Sequence, residues 1–64
     1  MAKKHYRVEA HLPQLTAHHA DQSAAVEATR LPVAAYRGLR AILSRPEVKG
    51  RHLREVHLKI FVQG

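Results

Sequence analysis

Apolar and polar residues alternate at the start of the chain. Tyr6, Val8, Ala10 and Leu12 take turns with His5, Arg7, Glu9 and His11. A period of two over eight residues predicts a half-buried strand. Pro13, which has no N–H for a ladder, closes it. The same period returns near the far end. Val56, Leu58, Ile60 and Val62 share one face, and Glu55, His57, Lys59 and Phe61 share the other. The β-branched residues there agree with the period and predict another strand.

Between these strands the period changes. From Leu31 to Pro46, at 100° per residue, Leu31, Ala35, Tyr36, Leu39, Ile42 and Leu43 fall within one arc. Arg30, Arg37, Arg40 and Ser44 fall on the opposite side, which predicts an amphipathic helix. Thr29 suits its N-cap, and Pro32 suits its first turn, where a missing N–H costs nothing. Pro46 disfavours helical geometry at Arg45 and so ends the helix. Gly38 inside the helix costs about 1 kcal/mol relative to alanine, and it marks a close approach to the sheet.

Residues 14–29 admit a strand, a helix or a loop. The stretch THR-ALA-HIS-HIS-ALA-ASP-GLN-SER from Thr16 to Ser23 lacks an apolar stripe and reads as a loop. Ala24, Val26 and Ala28 alternate with Ala25, Glu27 and Thr29, which favours a strand over 23–29. Gly50 is the expected turn point of a basic connection between helix and last strand. The expected fold is a single α+β domain over 1–64 with the order ββαβ. Its antiparallel three-stranded sheet has order 2-1-3 and carries one helix on one face. Without the middle strand, a two-stranded sheet would need a partner chain to be stable.

Size changes this picture in one respect. A chain of 64 residues has an expected stability of about 3–9 kcal/mol at roughly 0.05–0.15 kcal/mol per residue. There is no cysteine, so neither a disulfide nor thiolate zinc ligation supplements the core. Small chains without such staples gain stability by oligomerising, and a homodimer is expected. The absence of cysteine fits a cytoplasmic setting. No apolar run reaches the roughly 18 residues of a membrane span, and no signal peptide is expected.

Charge points to the partner class. The formal net charge is +6. Lys3, Lys4 and Arg7 balance Glu9, Asp21 and Glu27, so the excess lies in residues 29–64. Solubility alone accounts for charge of this size in a small domain. The unpaired helix arginines go further, because no acid stands three or four residues from Arg37 or Arg40 within the helix. Arg30, Arg37, Arg40, Lys49, Arg51 and Arg54 form a candidate nucleic-acid-binding set, for DNA or RNA. An acidic protein is the other anionic partner this charge admits.

A second candidate surface is the polar face of the sheet. His5, Arg7, His57, Lys59 and Phe61 could serve a protein-interaction module that joins a partner or a second copy. Phe61 beside His and Lys resembles a base-stacking platform, though such sheets usually carry two or three aromatics. Six histidines invite a metal, yet His5 and His11 lie about 20 Å apart along a strand at ~3.3 Å per residue. No chelating H-x-x-x-H spacing occurs, so no metal and no cofactor are expected. No Gly-rich phosphate loop, cysteine nucleophile or paired-carboxylate motif occurs either. The expected function is that of a non-catalytic accessory protein.

Overall fold

A computed structural model of the chain describes residues 2–63. The elements follow in the order β1 (Lys4–His11), β2 (Asp21–Ala28), α1 (Leu31–Leu43) and β3 (His57–Gln63). The strands form one antiparallel sheet in the order β2-β1-β3, with α1 packed against one face. The middle element is therefore a strand, and it begins earlier than its alternation suggests. The Leu12 N–H donates to the Ala20 carbonyl at 2.7 Å, which carries the β1–β2 ladder past His11.

Register sets the two faces. Tyr6 stands opposite Val26 and Val62, Val8 opposite Ala24 and Ile60, and Ala10 opposite Gln22 and Leu58. These residues face the helix. His5, Arg7, Glu9 and His11 stand opposite Gln63, Phe61, Lys59 and His57 on the open face. Tyr6, Val8, Ala10 and Leu12 are buried, as their alternation requires.

The helix is rotated from the predicted arc. Its buried stripe is Ala34, Gly38 and Ile42, while Leu31, Tyr36 and Leu43 are exposed. The cause is steric. A Cβ placed on Gly38 would lie 2.5 Å from the Val8 Cβ and 2.8 Å from its Cγ1. A helix seats its smallest residues where its backbone comes closest to the sheet, so its larger apolar side chains move to the flanks. The helix also lies mainly over β2 and β1 and only grazes β3. Leu58 and Val62, expected beneath it, are therefore 37% and 56% exposed. Arg30, not Thr29, occupies the N-cap, with no side-chain bond there.

The connection after the helix does more than carry charge. Val48 is buried against Ala10, Leu12 and Ile42, with Leu53 and Val56 packed around them. Gly50 turns the chain with a φ of +82°, a conformation that glycine adopts without strain.

Candidate nucleic-acid interface

The helix direction decides where the cations lie. Ala34 packs with Tyr6 and Ala28, and Ile42 packs with Ala10 and Leu12, so α1 runs alongside β1. Arg40 near the last turn, and Lys49, Arg51 and Arg54 in the following connection, belong to the Leu12 end of the molecule. Arg30 lies at the other end, about 15 Å from Arg40 along the axis at ~1.5 Å per residue. All six candidate cations, Arg37 included, are exposed.

Arg37 has a further partner that the helical spacing did not suggest. Its Nη1 donates to the Glu27 carbonyl at 2.7 Å. Arg45 behaves alike: Nη2 donates to the Ser23 carbonyl at 2.5 Å, and Nη1 donates to Gln22 Oε1 at 2.7 Å. Gln22 is only 9% exposed, and its Nε2 donates to the His19 carbonyl at 2.9 Å. Arg45 thus completes the hydrogen bonding of a buried amide.

Ladder phase shows which carbonyls these are. The Leu12–Ala20 bond makes even-numbered β2 residues face β1, because bonding direction alternates along a strand. Ser23 and Glu27 are odd-numbered, so their carbonyls point to the free edge of β2. Two arginines from the helix side therefore cap this edge, the kind of device that blunts strand-on-strand association. Helical periodicity alone could not have found this role, because it depends on the β1–β2 register across a long loop.

The acids are distributed as unevenly as the bases. Glu9 pairs with Arg7 at 3.2 Å, Asp21 with His11 at 2.8 Å, Glu27 with His5 at 3.9 Å, and Glu55 with His57. Four of the five acids are thus engaged with partners on the strands. Arg30, Arg40, Lys49, Arg51 and Arg54 have no carboxylate partner among the described residues. Arg37 bonds a neutral carbonyl, so its charge is also uncompensated.

The open sheet face gathers the second candidate set and engages its members with one another or with neighbouring acids, except Lys59. Arg7 places its guanidinium carbon 5.1 Å from the Phe61 ring centroid. One side of that ring is therefore covered, which weakens it as a stacking platform. Lys59 stands opposite Glu9, yet Glu9 pairs along its own strand with Arg7. At the far end, His11 and His57 lie with ring centroids 6.2 Å apart, beside a shallow depression of about 710 Å³. Glu9, His11, Asp21, Ser23, His57 and Lys59 help to line it. No group of three or more His, Asp or Glu side chains is arranged to hold a metal ion among the described residues. No described helix is long and apolar enough to cross a membrane. No family model, curated protein or solved structure matches the chain.

Proposed function

We propose that this is a non-catalytic basic protein that binds the phosphate backbone of nucleic acid. The surface would comprise Arg37 and Arg40 on the helix, Lys49, Arg51 and Arg54 in the connection, and Arg30 at the distant end. The observation that supports this reading is charge segregation. Four of the five acids contact Arg or His side chains of the strands, and Arg30, Arg40, Lys49, Arg51 and Arg54 have no carboxylate partner among the described residues. Polyphosphate binding needs exposed cations and released counterions, with no particular motif.

A salt titration against duplex and single-stranded oligonucleotides tests it. About four to six phosphate contacts give a log–log slope of about −3 to −5. Replacing Arg40, Arg51 and Arg54 with glutamine should flatten the slope by about two to three and weaken binding alike across sequences. No binding at about 50 mM salt, where such contacts are strongest, would remove nucleic acid as the partner and leave an acidic protein surface.

A further inference from the structure

The two edges of the sheet are not equivalent. β2 has its outward carbonyls at Ser23 and Glu27 occupied by Arg45 and Arg37. Among the described residues no element covers the outer edge of β3, and its exposed residues include Leu58, Phe61 and Val62. A long, uncapped apolar edge is a ready template for another strand. We infer that β3 pairs with β3 of a second copy, antiparallel about Ile60, and joins two three-stranded sheets into one of six strands.

Phase supports this register. Even-numbered β1 residues bond β2, so odd-numbered ones bond β3. His57, Lys59, Phe61 and Gln63 therefore face β1, and Leu58, Ile60 and Val62 direct their N–H and C=O groups outward. Centring the pair on Ile60 sets Ile60 opposite its own copy and Leu58 opposite the partner's Val62. All three outward residues of each strand then bond, and the full strand is matched from His57 to Gln63.

Charge selects the same register. On the open face Lys59 meets the partner's Phe61, and His57 meets the partner's Gln63. Shifting the centre to Lys59 would set two lysines directly opposite, which is destabilising. Shifting it to Phe61 would leave Leu58 without a described partner. The occupant is a second copy because the sequence from His57 to Gln63 is complementary to itself, and the arginine-capped β2 edge disfavours an open chain of copies. An isologous contact of this kind closes at two.

The chain lacks cysteine, so disulfide trapping reads the register directly. Lys59 and the partner's Phe61 would form a non-hydrogen-bonded pair with Cα atoms about 4.5 Å apart, within disulfide range. Lys59 and its own copy would be about 7–8 Å apart and out of range. Under mild oxidation, K59C/F61C should become a covalent dimer, while K59C and F61C alone stay monomeric on a denaturing gel. Sedimentation of the unmodified protein at about 100 μM, enough to populate a micromolar association, should show twice 7.2 kDa. Val62→Pro and Leu58→Pro together remove outward N–H groups that β1 does not use, so that variant should stay folded by circular dichroism and sediment as a monomer. A monomeric unmodified protein would overturn the inference. So would trapping by either single variant, failure of the double cysteine variant to link, or a folded dimer of L58P/V62P.

Discussion

At the scale of a residue, Gly38 sets the depth at which the helix sits. Alanine there should gain about 1 kcal/mol of helix propensity but overpack Val8, which costs about 1–3 kcal/mol. The net expectation for Gly38→Ala is a loss, read as a lower thermal midpoint at fixed protein concentration. At about 4–8 °C per kcal/mol for a domain of this size, even a 1 kcal/mol loss is measurable. Val8→Ala would keep the Cβ that lies 2.5 Å away, so only a Val8→Gly background removes the clash, and Gly38→Ala should become neutral or stabilising there. The same penalty in both backgrounds would show that Val8 is not the obstacle. Gly38 was legible in the sequence as a point of close approach. Its consequence was not, because a 100° projection weighs side chains by hydrophobicity and ignores how closely the backbone can approach. Tyr36 and Leu43 scored as core and stand outside it, while Ala34 was overlooked and is buried.

At the scale of an element, the strands were legible from alternation because facing and burial share its period. Tyr6, Val8 and Ala10 are buried as expected, and Lys59 and Ile60 face opposite ways. The order 2-1-3 made β2 and β3 the edges, as observed, but the capping of the β2 edge was not legible. Which β2 carbonyls point outward depends on ladder phase, and the arginines that reach them lie 10 and 22 residues away in sequence. Removing both caps with Arg37→Ala and Arg45→Ala should have two effects. Gln22 Oε1 loses its described partner, at a cost of about 1–3 kcal/mol. The freed β2 edge also becomes available to β3 of another copy, a heterologous contact that need not close. Sedimentation should then show species larger than a dimer, and adding L58P/V62P should return the protein to monomer. A double arginine variant that remains a single sharp dimer would mean the caps do not guard that edge.

At the scale of the whole molecule, the two proposals meet in one measurement. Strands paired antiparallel about Ile60 are related by a two-fold axis perpendicular to the sheet, so both helices lie on the same side. Each protomer brings its own uncompensated cations to that side, Arg40 among them. A duplex long enough to touch both protomers should release counterions from both. The salt slope of the dimer should then approach twice that of L58P/V62P, which carries the same charge in a single protomer. Affinity should differ in the same direction, because the second set of contacts forms at high effective concentration. On an oligonucleotide that spans one protomer, the two proteins should give similar slopes of about −3 to −5. Equal slopes on the long duplex, from a protein that sediments as a dimer, would place the two cation sets too far apart for one duplex. No binding by either protein would instead reject phosphate recognition and leave the β3 pairing standing on its own trapping result.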